Sequence, residues 1–382
     1  MATKGKDEII KRCTYRLYPN KSQKVLLEKH FGCSRLIYNL ALETKITAYE
    51  SAGITLSKYD LCKQIKELRE EFIWLKEVSS KSLRCSIYNM DNAFHNFFKG
   101  KGFPKFKSKK SKRSFTVEED NVLCFDTMRF GTHKFRRENS IKFRGKKWRN
   151  GKVKSCTVYK SPTGKYYVSA TIVSEIDKVK PAEINKDTAI GIDLGIKDFL
   201  IDNNGNKVNN PKFYRELEGR LKVLQRRASR KKKGSSNSKK AWLKVAKVHE
   251  KIKNKRSHWL HQLTNRLISE NQGGTICMES LQVNKMLDKN RQLSKSISDA
   301  SWGQFTRMLE YKCEWYGVNL LKCGRYDATS KTCSCGIKND DLTLTDREWV
   351  CTSCGTLHDR DILAANNIIE FAFKNNREKN SQ

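Results

Sequence analysis

The sequence predicts a multi-domain protein of mixed class, part α/β and part all-β, and three observations carry that prediction. The hydrophobic period changes along the chain: helical spacing over 21–98, short β-type runs over 114–180, then strands alternating with helices after residue 187. Two cysteine pairs, Cys333/Cys335 and Cys351/Cys354, interrupt the last stretch as a small module would. At 382 residues the chain is long enough for two or three domains with a real core.

Residues 10–18 (IKRCTYRLY) alternate as a strand does. From Lys21 to Phe98 apolar residues recur at three and four, and Gly53 and the Trp74–Ser79 stretch break the run into separate helices. A basic loop follows, Lys99 to Arg113, with eight Lys/Arg in fifteen residues and Phe103, Pro104 and Phe106 among them. Rings set between cations suit bases or ribose as well as phosphate, whereas charge alone is usually a solvated face. SFTV, VLCFDT, SIKFRG, KVKSCTVYKS and KYYVSATIVSE then read as five or six short strands, to which the strand at 10–18 could return. The helical block is in that case an insertion within the β module.

After Asp187, TAIGIDLG and KDFLIDNNGNKV read as strands, with Asn203–Asn206 as a hairpin turn. Residues 213–270 read as two basic helices split at Gly234–Ser238, with sixteen Lys/Arg and one acid between Arg220 and Arg256. GGTICMESL is a buried strand, followed by a polar loop to Ala300, a helix over Trp302–Tyr316, the strand VNLLKC, the cysteine region and the helix DILAANNIIEFAF. The last ten residues are polar and expected to fray.

A net charge of +36, from 77 Lys plus Arg against 41 Asp plus Glu, far exceeds what solubility asks of a domain, about 2–8. A polyanion is the natural partner, because its phosphates release counterions on binding. Thirteen cysteines, nine of them isolated, read as buried thiols in a reducing compartment. The start has no apolar leader and no run of about 18 apolar residues occurs, so a soluble cytoplasmic protein without a membrane partner is expected.

Two constellations carry chemistry. Thiolates favour zinc, and glycines after Cys335 and Cys354 suit knuckles that need positive φ, so the four cysteines predict a structural zinc site. The downstream pair has C-x-x-C spacing; the upstream C-x-C is one residue short, and a ribbon that folds with weak or no zinc is the alternative. The second constellation is acidic. Asp193 stands between Ile192 and Leu194, where a charge is costly unless a cation offsets it. Glu279 ends another apolar strand, and Asp361 opens the last helix. Singly each reads as a cap or structural ion pair, and Asp359 or Asp361 would equally serve as an N-cap. Together, on strand, strand and helix, they match the ribonuclease-H-like way of building a metal site. His358 reads as a hydrogen-bond partner beside the knuckle; Arg360 either reaches a scissile phosphate or pairs with Asp359 or Glu370.

Residues 187–370 resemble the RuvC-type nuclease domain of TnpB proteins, transposon-encoded RNA-guided endonucleases related to type V CRISPR effectors. The resemblance rests on GIDLGIKDFLID, ICMESL, SISDASWGQFTRMLEYKCEWYG, SKTCSCG, LTLTDREWVCTSCGTLHDRD and AANNI. It extends to the N-terminal half through YRLYPNKSQK, FGCSRLIYNLALE, WLKEVSS, NAFHNFFKG and GFPKFKSKK. It implies a wedge β-barrel (1–19 and 114–185) carrying a helical recognition lobe and basic loop (20–113). An RNase H-like domain (186–324 and 358–374), an inserted zinc ribbon (325–357) and a disordered tail (375–382) follow.

The resemblance also implies Asp193, Glu279 and Asp361 as catalytic acids holding Mg²⁺ or Mn²⁺, and Cys333, Cys335, Cys351 and Cys354 as zinc ligands. A guide RNA from the transposon end is implied, with target double-stranded DNA bearing a short flanking motif, in a monomeric, nucleoid-associated, prokaryotic protein. Lys81, Arg84 and Tyr88, on one helical face, fall in the region that reads the motif; Lys105, Lys107, Arg226, Arg227 and Arg230 are further nucleic-acid candidates. Two positions depart from the family: the C-x-C pair, and Leu363 where asparagine is usual. A nuclease-dead RNA-guided DNA binder, a strand-transferring transposase and a plain zinc-ribbon nucleic-acid binder are the rival readings.

Overall fold

In the computed structural model, the alternation near the N-terminus becomes β1, Glu8–Leu17. The structure describes residues 8–118, 123–124, 127–128, 140–145, 151–175, 179–289, 293–325, 327–343 and 346–380. Two units divide the chain, Met1–Ile176 and Asp177–Gln382.

In the first unit β1 is followed by the helical insertion. Helix α1, Lys21–Ala52, opens on a capping box in which Asn20 Oδ1 accepts from Gln23 N–H and Gln23 Oε1 accepts from Asn20 N–H. It stops at Gly53, whose φ of 66° is the left-handed conformation a helix end favours. Helix α2, Lys58–Glu71, a 3₁₀ turn at Ile73–Glu77 and α3, Ser80–Phe98, complete the insertion. Leu42, Leu61, Leu75, Leu83 and Met90 bury fully in their shared core. Each such side chain is worth about 1.5–3 kcal/mol.

Strands β2 (Ser114–Val117), β3 (Leu123–Cys124), β4 (Thr127–Met128), β5 (Ile141–Arg144), β6 (Lys152–Lys160) and β7 (Tyr166–Glu175) join β1 in a seven-stranded sheet. Their order is β2-β6-β7-β1-β5-β4-β3, and β1 pairs with β7 from Glu8↔Glu175 to Leu17↔Tyr166. The first strand thus does return to the module that follows the helices. The expected barrel is an open sheet: β2 and β3 lie at its two ends, and among the described residues no pairing joins them. At four and two residues these end strands offer few ladder bonds to a further neighbour. The strand read over 122–127 is described only at residues 123–124 and 127.

The second unit is built on β8 (Ala189–Asp193), β9 (Asp198–Asp202), β10 (Lys207–Asn209), β11 (Thr275–Met278) and β12 (Asn319–Lys322). Spatial order is β10-β9-β8-β11-β12, with β8, β11 and β12 parallel and the rest antiparallel. Numbered within the unit this is 3-2-1-4-5, the RNase H-like arrangement. Helices α4 (Phe213–Ser229) and α5 (Ser236–Glu270) form the basic hairpin. The span expected to be a polar loop before Ala300 instead folds two short helices, α6 (Val283–Lys289) and α7 (Ser294–Ala300), because Ile297 and Ala300 reach the core.

Helix α8 (Trp302–Tyr316) leads to β12; β13 (Glu348–Val350) and β14 (Leu357–Asp359) pair within the cysteine module, and α9 (Arg360–Asn380) closes the chain. The expected tail from 375 is helical to Asn380: Phe373 is buried, and Asn375 Nδ2 donates to Asp327 Oδ2 at 3.2 Å. Residues 381–382 of that tail lie outside the described residues. The division between units also falls before the expected 185, since Ala182 accepts from Asn319 Nδ2 at 2.8 Å. Among the described residues no helix is long and apolar enough to cross a membrane.

Candidate active site and metal centre

Strand register brings the first two acids together. On the parallel strands β8 and β11, Ile192 pairs with Met278, so the next residues, Asp193 at the end of β8 and Glu279 just past β11, stand side by side. Neighbouring strands lie about 4.8 Å apart. Both acids stand at the carboxyl ends of parallel strands, where open α/β sheets bind ligands.

The third acid arrives on α9, and a glycine lets it. A Cβ on Gly191 would lie 1.9 Å from the Ala365 carbonyl oxygen, so only glycine allows the helix backbone onto β8 at this point. Asp361 is one turn, about 6 Å, before Ala365, and Asp193 is two residues, about 6.6 Å, beyond Gly191. Helix and strand run in opposite directions here, so the two offsets match. Asp359 Oδ1 accepts from the backbone N–H groups of Asp361 and Ile362 at 2.9 and 3.2 Å. Asp359 is therefore the cap of α9, and Asp361 is relieved of that duty.

Electrostatics records the convergence. Burial, then the charges of Glu279 and Asp361, push the Asp193 carboxyl up to about 7, against the lowering effects of the Leu194 amide and the Arg360 guanidinium. Asp361 accepts from Arg347 Nη1 through both oxygens at 3.2 and 3.0 Å. Glu279 Oε1 accepts from the Thr329 hydroxyl at 2.8 Å. Buried Asn367 donates through Nδ2 to the carbonyls of Thr329 and Thr332 at 2.7 and 2.6 Å, fixing the segment that presents that hydroxyl. Among the described residues only the four cysteines bring all their ligand atoms within 4.8 Å of one another, so the carboxylates form a wider cluster than a single-ion cage. Hard oxygen donors in mutual repulsion are the set that Mg²⁺ or Mn²⁺ fits.

Thr329 lies outside every string that carries the resemblance, while Arg347 and Asn367 lie within LTLTDREWVCTSCGTLHDRD and AANNI with no role read for them. Fifty positions separate Thr329 from Glu279, and no local pattern links them. Arg360 takes neither expected acid: its Nη1 donates to the carbonyls of Thr343 and Asp346 at 2.9 and 3.3 Å, while Asp359 meets Lys207 and Glu370 meets Lys186.

In the ribbon the short C-x-C pair does deliver both sulfurs. Sγ of Cys333 lies 3.5 Å from that of Cys354, and Cys335 lies 3.7 Å from Cys351. Four thiolates at about 2.3 Å from one zinc stand roughly 3.8 Å apart, so the cluster fits a tetrahedral ion. Each knuckle closes on a glycine with positive φ: Gly336 at 90° donates to the Cys333 carbonyl, and Gly355 at 69° to that of Cys351. His358 Nε2 is 3.0 Å from Cys333 Sγ, its ring tilted against Trp349, and so acts as the expected hydrogen-bond partner of a sulfur. Leu363, the departure on α9, is buried with Cys333, Cys351, Leu342 and Trp349. It packs α9 onto the ribbon.

The candidate nucleic-acid contacts are scattered. Lys81 and Arg84 are exposed on α3, with Tyr88 half-buried beneath the Lys58 amine. Lys105, Arg226, Arg227 and Arg230 are exposed as well. Lys107 is not: its Nζ sits 3.6 Å over the Tyr38 ring, and burial lowers its pKa to about 8. Asp299 positions the basic hairpin, accepting from the Tyr214 and Arg215 amides at the start of α4 and pairing with Arg256 at 2.7 Å.

The sequence is 38% identical, over 93% of this chain and 87% of the relative, to a Streptomyces pristinaespiralis protein provisionally named an RNA-guided DNA endonuclease. The chain belongs to the TnpB family. A TnpB-like protein of Acanthamoeba polyphaga mimivirus is 25% identical over 94% of this chain and 72% of its own. Family profiles match the Cas12f1-like TNB domain at residues 302–368, a probable transposase, OrfB of IS605, at 171–290, and its helix-turn-helix domain at 9–53. Across that last span the structure has a strand and one continuous helix, β1 and α1. Among solved structures, Cas12f1 in its complex with sgRNA and target DNA has a TM-score of 0.60 at 15% identity, covering 95% of this chain and 99% of the other. That likeness shows a shared TnpB/Cas12f fold.

Proposed function

We propose that this protein is an RNA-guided DNA endonuclease encoded by an insertion-sequence transposon, cutting target DNA by metal-assisted phosphodiester hydrolysis at Asp193, Glu279 and Asp361. The observation that carries this reading is the meeting of those carboxylates at the carboxyl edge of an RNase H-like sheet. The provisional name of the Streptomyces relative supports it.

The three acids would hold Mg²⁺ or Mn²⁺. When bound, the ions supply an activated attacking water and stabilise the leaving oxygen. Thr329 occupies Glu279 Oε1 and so fixes how that carboxylate is turned. Arg347, on the ribbon, supplies positive charge to Asp361. Cys333, Cys335, Cys351 and Cys354 would hold structural zinc, which ties down the module bearing Arg347 and, through Leu363, braces α9. A guide RNA derived from the transposon end lies on the basic surfaces and pairs with the target. The protein reads the flanking motif near Lys81, Arg84 and Tyr88 and follows backbone shape elsewhere.

The test is purification from cells expressing the native locus, sequencing of bound RNA, and incubation with matched DNA and Mg²⁺. Copurifying guide RNA, cleavage, loss of cleavage in Asp193→Ala and about one zinc per chain are expected. Absence of bound RNA sinks the guided reading. An Asp193→Ala protein with every activity intact sinks the nuclease, and joining of transposon ends without RNA points to strand transfer.

A further inference from the structure

The first unit carries a concavity of its own. It is a cavity of about 40 Å³ whose walls come from α1, α3, β2 and the basic loop before β2. One water needs about 10–15 Å³ of such space, so a larger group fits. Ser34 lies in its lining, 4% exposed, and among the described residues its hydroxyl has no hydrogen-bond partner. A buried polar group left unsatisfied is costly, and it calls for a partner such as an ordered water or a bound ion.

Around it stand Arg35, Lys107, Lys112 and Arg113. Arg113 is paired with Glu28 at 3.2 Å. Among the described residues the other three have no carboxylate partner; the Lys107 and Lys112 amines lie over the rings of Tyr38 and Tyr159. The wall is held in place. Asn39 grips Lys107 through both backbone groups at 2.8 and 2.9 Å, and the Ser111 hydroxyl accepts from the Ser108 amide at 3.0 Å. Three uncompensated cations about an idle hydroxyl donor describe a seat for an oxyanion.

We propose that this cavity binds one backbone phosphate of a nucleic acid, with the Ser34 hydroxyl donating to a non-bridging oxygen and Arg35, Lys107 and Lys112 offsetting its charge. The site rests on the reading of this chain as a nucleic-acid enzyme and adds an anchor to it. Nucleic acid is favoured over a free anion because Phe103 and Phe106, 50% and 57% exposed, extend from the same loop and offer rings to neighbouring bases or riboses.

The full chain without guide RNA is titrated with a short DNA duplex of arbitrary sequence at several salt concentrations, with inorganic phosphate at matched ionic strength as second ligand. Arg35→Gln and Lys112→Gln each lower the slope of log affinity against log salt by about 1, the loss of one phosphate contact. Ser34→Ala leaves the slope alone, weakens duplex binding about tenfold and raises the melting temperature of the free chain by a few degrees. Unchanged affinity in Ser34→Ala means that the cavity holds only solvent and overturns the proposal. Protection by inorganic phosphate equal to that by the duplex overturns the nucleic-acid assignment. If the wild type fails to cut guide-matched DNA while these losses persist, the site stands and the proposed activity falls.

Discussion

Among the described residues the Thr329 hydroxyl has one acceptor, Glu279, and Asn367 holds the Thr329 carbonyl from the other side. A hydrogen bond to a charged group is worth about 1.5–3 kcal/mol, and a lost contact behind a metal ligand typically costs 10–100-fold in metal affinity. Thr329→Val keeps the shape and removes the donor. The Mg²⁺ concentration for half-maximal cleavage is expected to rise about tenfold, with Thr329→Ser near wild type; an unchanged metal dependence in the valine protein refutes the positioning role. At this scale the sequence was legible unevenly. Asp193 could be picked out because a lone acid among Ile192 and Leu194 is anomalous. Asp359 and Asp361 could not be told apart, since capping depends on which side chain turns back to the helix amides. Thr329 was invisible, as its partner is set by the fold and not by spacing. The two departures, at Cys335 and Leu363, read as defects in sequence and turn out to be accommodated, one by a knuckle that still delivers its sulfur and the other by burial against the ribbon.

At the scale of elements, the site depends on how closely α9 lies on β8. Adding a methyl at Gly191 sets it 1.9 Å from the Ala365 oxygen, and helix backbone cannot give way as a side-chain tip would. Gly191→Ala is expected to cost about 3 kcal/mol or more and to abolish cleavage with all three acids present, checked by denaturant unfolding and cleavage assay. Wild-type stability with full activity would show that the close approach is dispensable. Helix α1 offers a pH test. His30 is fully buried, bonded at Nδ1 to the Leu26 carbonyl and accepting the Ser79 amide at Nε2, and burial lowers its pKa from 6.5 to about 4. The folded state thus keeps the ring neutral while the unfolded chain protonates it below about pH 6.5. This contribution is complete above 6.5, fades as pH falls and is gone by about 4, a loss on the order of 3 kcal/mol. Chemical unfolding of the wild type and of His30→Gln across this range measures it; parallel pH profiles for the two would exclude it. Elements with an apolar period were legible from sequence. The two short helices before Ala300 and the extension of α9 to Asn380 were not, because tertiary contacts stabilise them against polar composition.

At the scale of the molecule, the proposed function would divide the labour between a net charge of +36 for binding and three carboxylates for chemistry. Self-repulsion of that size weakens the free protein and is relieved by a polyanion, so affinity is expected to be spread over many cations while cleavage is confined to three carboxylates. The α4–α5 hairpin is where this division is most open to test. Sixteen cations between Arg220 and Arg256 could be a solvated face, and Arg226, Arg227 and Arg230 are exposed without being tied to an acid among the described residues. If they meet phosphates, replacing all three by Gln lowers the salt slope of nucleic-acid binding by as much as about 3, at roughly 0.9 per duplex phosphate or 0.7 per single-strand phosphate. The measurement is fluorescence anisotropy from 50 to 200 mM salt, with guide RNA and with a DNA duplex in parallel. A slope lost only with RNA assigns the hairpin to the guide, and a slope lost only with duplex assigns it to the target. An unaltered slope with both ligands returns the hairpin to solvent, and the excess charge must then act elsewhere on the chain.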